Sequence, residues 1–150
     1  MIQRKQTLWL LGSIVFYILL FLMPYVLHQQ SMLNVTTISE IPLSARNNIV
    51  LSIASICLST LCAVCIFMFK NRPLQILLCW LIILLGIGIF AYQLFDGYQT
   101  HLGKKLIVGI YGSQLYIGSV LPLLCVFFTA LALVVIRSDD RLIRDADRLR

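Results

Sequence analysis

Charge is scarce in this sequence, and four long stretches of it have none. Asp, Glu, Lys and Arg make up 12% of the 150 residues, about half the share usual in a soluble domain. Apolar residues make up 60%, more than a core of this size can hide from water. The runs 8–27, 49–69, 73–95 and 117–136 contain no Asp, Glu, Lys, Arg or His. Histidine is limited to His28 and His101, and neither of the longer loops, 28–47 and 96–116, has a cysteine. These gaps remove most site chemistry. No metal-binding, cofactor-binding or catalytic constellation is expected, and the chain reads as non-enzymatic. Nor is there a basic, aromatic-interleaved surface of the kind nucleic acid needs.

The apolar runs themselves define the fold class. At about 1.5 Å per residue, some 20 apolar residues cover a hydrocarbon core of about 30 Å. Helices apolar on every side belong in lipid. The sequence therefore predicts an all-α membrane protein, one antiparallel four-helix transmembrane bundle in a single domain, followed by a helical tail at 137–150. The first run is read as an uncleaved helix. It is longer than a signal-peptide core, and no small-x-small site follows it.

Orientation comes from the Lys and Arg count in the connections. One side holds nine: Arg4, Lys5, Lys70, Arg72, Arg137, Arg141, Arg144, Arg148 and Arg150. The other holds three: Arg46, Lys104 and Lys105. Both termini are expected in the cytoplasm. Trp9 would mark the inner boundary; Tyr25, Tyr92, Tyr98 and Tyr116 would mark the outer one. Pro24 and Pro122, inside the first and fourth runs, are expected to bend those helices.

The outer loops carry a weaker β signal. Apolar and aromatic stretches flank Gly112-Ser113, which suits a two-residue hairpin turn, and Asn34–Ile38 is a candidate third strand. A small hairpin or sheet over the outer end is expected. Asn34-Val35-Thr36 also matches a glycosylation sequon. Asp96, with His28 and His101, is a weak candidate for an outer-face site.

Two surfaces invite packing or docking. Ser52, Ser55, Ser59 and Ala63 form a small-residue face on the second helix, with Gly86 and Gly88 of the third as the complementary groove; such faces let backbones approach in lipid. The tail, Arg137 to Arg150, pairs charges at helical spacing, as Asp140 with Arg144, and Asp145 with Arg148. Its five Arg and four Asp, with the terminal carboxylate, sum to about zero, so it is a poor polybasic lipid anchor. Its Asp139, Asp140 and Asp147, interleaved with Arg144 and Arg148, are expected to dock on the basic inner elements Arg4, Lys5, Lys70 and Arg72, or on a partner.

Cys62-Ala63-Val64-Cys65 has C-x-x-C spacing, but all five cysteines lie in the runs, where a thiol is disfavoured from ionising. Buried small hydrophobes is the better reading. Transport is disfavoured because the runs, Gln93 included, contain no Asp, Glu, Lys, Arg or His where pumps place ionisable groups.

The opening Met1-Ile2-Gln3-Arg4-Lys5-Gln6-Thr7, the hairpin Lys70-Asn71-Arg72-Pro73-Leu74-Gln75 and the closing Asp139–Arg150 segment with its Leu142-Ile143-Arg144-Asp145-Ala146-Asp147-Arg148-Leu149-Arg150 resemble a family of small four-span bacterial inner-membrane proteins, a domain of unknown function. The resemblance implies an envelope location and no activity. Together these features predict a lipid-embedded scaffold or accessory subunit with a protein partner or a second copy of itself. An oligomeric small transporter or channel component is the alternative, and a membrane redox protein a distant one.

Overall fold

The protein is described by a computed structural model over residues 3–30, 39–68, 71–98, 104–106, 109–111 and 114–148. Four helices dominate it: α1 (Gln3–Leu22), α2 (Ile49–Phe67), α3 (Arg72–Tyr98) and α4 (Leu121–Arg148). Each packs on two others, in the cyclic order α1, α2, α3, α4 and back to α1. The bundle is a closed ring. α2, α3 and α4 hold stretches long and apolar enough to cross a membrane, Ile49–Phe67, Arg72–Asp96 and Leu121–Leu142, while α1 has a shorter apolar part, Gln6–Leu22.

Local chemistry sets the helix ends. Asn48 caps α2, its side chain accepting from the Val50 N–H at 3.1 Å, which satisfies one of the first-turn donors. Pro73 and Pro122 each stand second in their helices, where the missing N–H is not required. Pro122 therefore starts α4 and does not bend it, and the fourth run forms helix only from Leu121 onward.

The first run also stops early. α1 ends at Leu22, and Pro24–Gln30 is strand β1. Proline disfavours helix in the residue before it and cannot donate to the helix ladder, so Pro24 ends α1 where a bend was expected. The expected span 8–27 thus divides into a helix and a strand start.

β1 is the centre of a three-stranded antiparallel sheet, between β2 (Ser39–Ser44) and β3 (Lys104–Leu106). Pro42 lies in an edge strand, the place a sheet tolerates proline. The expected hairpin exists as β4 (Gly109–Tyr111) and β5 (Gln114–Tyr116), with Tyr111 opposite Gln114. The candidate strand and sequon at Asn34–Ile38 lie outside the described residues; the first loop supplies β1 and β2 instead. The sheet joins the bundle at Gly118. Its N–H donates to the Pro24 carbonyl at 3.2 Å, and a Cβ there would stand 2.8 Å from that oxygen. Only glycine lets α4 start so close to β1.

The core lies on the ring's inward faces. Tyr17, Leu10, Leu20, Leu51, Leu58, Ile82 and Ile136 are buried. Phe128 of α4 takes Trp9 and Phe16 of α1 edge-on, at centroid distances of 5.5 and 5.0 Å. Outward positions are apolar too: Leu8, Ile53, Leu84 and Val134 are all more than half exposed.

Candidate functional site at the end carrying both termini

The ring has two polar ends and a nearly dry interior. One end carries the start of α1, the α2–α3 connection and the charged extension of α4. The other carries the sheet.

At the first end, Asp139 is the key residue. It follows the apolar part of α4 by three positions, yet only 7% of it is exposed. Its carboxylate accepts a hydrogen bond from Gln6 Nε2 of α1, which is itself buried. A buried carboxylate requires such a partner. Asp139 therefore docks on an amide of α1. The side chains of Arg4, Lys5, Arg144, Asp147 and Arg148 lie outside the described residues, as does Lys70. Asp140 is half-buried. Arg72, at the start of α3, keeps its Nη1 buried with no hydrogen-bond partner among the described residues.

On the other side of α4 from Asp139, Arg137 is exposed and places its guanidinium 5.4 Å from the Trp80 ring centroid. This is cation–π contact range. Beside it, Val134, Arg137, Ser138, Arg141 and Leu142 line a groove of about 400 Å³. Sequence reasoning missed Gln6, Trp80 and this groove. Arg137 was the available signal, being the first charge after the fourth run.

The expected small-residue interface is placed differently. The buried face of α2 is Leu51, Ser55, Leu58, Cys62 and Cys65, so of Ser52, Ser55, Ser59 and Ala63 only Ser55 is fully buried. The serine hydroxyls turn back to backbone carbonyls: Ser52 to Ala45, Ser55 to Ser52 and Ser59 to Ile56, at 2.8–2.9 Å. Gly86 does admit a close neighbour, but from other helices. A Cβ there would stand 2.7 Å from Val126 Cγ2 of α4 and 3.0 Å from the Tyr17 hydroxyl of α1. Gly88 is exposed with open space around it. The two glycines do not form a groove for α2.

Cysteines pair across helices and not within the C-x-x-C segment. Cys65 Sγ lies 3.6 Å from Cys79 Sγ of α3, and Gln75 Nε2 donates to the Cys65 carbonyl at 3.2 Å. Cys62 receives the Ser13 hydroxyl at 3.8 Å. Cys125 reaches the Ser13 carbonyl at 3.7 Å. All five cysteines are free thiols. Among the described residues, no three His, Cys, Asp or Glu side chains converge as metal ligands would.

At the sheet end, Tyr25 donates to Asp96 Oδ2 at 3.2 Å, and Asn48 Nδ2 donates to the Tyr92 hydroxyl at 3.2 Å. Burial, and then the Asp96 carboxylate, push the Tyr25 hydroxyl well above its ordinary range. Asp96 thus pairs with a tyrosine; His101 lies outside the described residues. Gln93 is fully buried in α3, and among the described residues neither its amide nitrogen nor its oxygen has a partner.

These features occur in a chain whose whole length fits one family model, that of a domain of unknown function, DUF4293, over residues 2–149. The chain belongs to that family. No curated protein and no solved structure matches it. The DUF4293 assignment agrees with the family resemblance carried by the two ends and the inner hairpin, and it brings no activity with it.

Proposed function

We propose that this DUF4293 protein is a four-span protein of the bacterial inner membrane with both termini cytoplasmic. In this reading it acts as a non-enzymatic scaffold or accessory subunit that offers the α4 extension to a protein partner. One observation carries the proposal. α4 runs unbroken from its apolar segment into the charged extension, and Asp139 is buried against Gln6 where the two parts meet. A tail fixed in this way presents a surface of defined orientation, which a free tail would not. α1 fits the spanning role although it is short. Its 17-residue apolar part, Gln6–Leu22, is about 25 Å long and lies at the lower end of spanning lengths. The nine-to-three distribution of Lys and Arg supports the orientation.

The test combines topology and capture. Reporter fusions at the C-terminus should be active only on the cytoplasmic side. In mild detergent, a stoichiometric different protein should co-purify with the full chain and be lost when Asp145 and Arg141 are charge-reversed, with the bundle still folded. A stable homo-oligomer without a second protein would instead favour the small transporter or channel reading. The buried Gln93, without a hydrogen-bond partner among the described residues, is the observation on that side, since an unsatisfied polar group at membrane depth is costly to keep.

A further inference from the structure

We propose that the groove on α4 at the end carrying both termini is a binding site for one anionic phospholipid, with its phosphate held by Arg137 and Arg141. The proposal rests on the membrane reading above and adds a ligand to it.

The arginines of α4 share one side of the helix, flanked by register by Asp140, Asp145 and Asp147. At about 100° per residue, Arg137, Arg141, Arg144 and Arg148 fall within an arc of about 60° along one helix that is continuous to Arg148. Asp139 sits on the opposite side of that helix and is occupied by Gln6. The tail is nearly neutral in total, which makes it a poor polybasic anchor. A single headgroup site needs only two well-placed guanidinium groups.

The groove combines the two characters of a phospholipid. Arg137, Ser138 and Arg141 in its lining are all exposed. Val134, 64% exposed, lies one turn nearer the bundle, inside the apolar stretch Leu121–Leu142. Trp80, 51% exposed, stands beneath Arg137. The guanidinium carbon lies 5.4 Å from its ring centroid, and a guanidinium held over an aromatic face can still use its in-plane N–H groups to bond a phosphate in bidentate fashion. A phosphate at Arg137 and Arg141 would direct its acyl chains along Val134 and Trp80. An acidic protein segment would match the arginines as well, but it has no use for an exposed valine at lipid depth.

Asp145, four residues after Arg141, and the half-buried Asp140, three residues after Arg137, are the competitors by register. An exposed pair at that spacing is worth about 0.3–0.5 kcal/mol, too little to hold Arg141 from a phosphate. The Nη1 of Arg72, unpartnered among the described residues, adds cationic character to the same end.

The experiment uses the full chain in detergent, followed by native mass spectrometry and thermal unfolding. Phosphatidylglycerol and phosphatidylcholine with matched chains, inorganic phosphate and a poly-glutamate peptide are the probes. Phosphatidylglycerol should be retained one per chain and raise the melting temperature more than phosphatidylcholine does. Arg137→Gln/Arg141→Gln should cut retention about tenfold or more, and Trp80→Leu should weaken it. Arg46→Gln, at the sheet end, should change nothing. Arg141→Gln alone, on the exposed extension, keeps the test valid where the double variant does not fold. Equal retention of both lipids, full retention by Arg141→Gln, or a matching effect of phosphate or poly-glutamate would each overturn the proposal. A chain that stays monodisperse without detergent would overturn the membrane reading itself, a result separate from any lipid preference.

Discussion

Gln6 and Asp139, 133 positions apart, are hydrogen-bonded in the buried seam between α1 and α4. The bond joins the beginning of the chain to the point where α4 turns from apolar to charged. Asp139→Ala should leave the Gln6 amide buried without its acceptor, at a cost of about 1–3 kcal/mol. Gln6→Ala should cost at least as much, because it leaves a buried carboxylate without its donor, and the double variant should be less destabilised than the sum of the two. Thermal unfolding in detergent of the four proteins in the cycle checks this; simple additivity would show that the two groups are not coupled.

The two glycines of α3 should respond in opposite directions. Gly86→Leu drives a side chain into Val126 and Tyr17, and overpacking of this kind costs about 1–3 kcal/mol. Gly88→Ala meets open space and should stabilise the helix by up to about 1 kcal/mol through propensity. Melting temperatures of the two variants decide the matter.

Cys65 and Cys79 should be the first thiols to cross-link. Their sulfurs are 3.6 Å apart, and a disulfide needs about 2.05 Å, a shift within reach of rotamer and helix adjustment. A membrane-permeant oxidant added to the purified chain should give a Cys65–Cys79 bond, seen in the peptide mass map. A Cys62–Cys65 bond appearing first would contradict the packing of α2 on α3.

The Tyr25 hydroxyl gives the sheet end an alkaline limit. Its pKa is raised on folding, first by burial and then by Asp96, so the folded state holds the proton more tightly than the unfolded one. Its contribution to stability is complete below the ordinary tyrosine value of about 10 and is lost as pH rises beyond it. Unfolding curves between about pH 8.5 and 11.5 should fall at the upper end, and Tyr25→Phe should flatten that fall.

The four helices were legible in the sequence because charge is absent from them, a signal that needs no partner to be read. The first strand was not. Met23-Pro24-Tyr25-Val26-Leu27 is apolar enough for a membrane helix and equally for a buried strand, and an apolar run alone does not separate the two. Pro24 was the deciding residue, and its role as a terminator was misread as a bend. The small-residue face lies to one side of the buried one. Residues 52, 55, 59 and 63 fall within an arc of about 80° of α2. The buried Leu51, Ser55, Leu58, Cys62 and Cys65 fill an equally narrow arc centred about 80° away, and Ser55 alone belongs to both. Gln6 and Asp139 could not have been paired by inspection, since nothing local links residues so far apart.

The continuity of α4 has a mechanical meaning. Twenty-eight residues make a rod of about 42 Å, clasped near one end by Gly118 against Pro24 and farther along by Asp139 against Gln6. A shaft keyed at two heights cannot spin in its bearing. A load taken at its charged end is therefore borne by α1 and by β1 together.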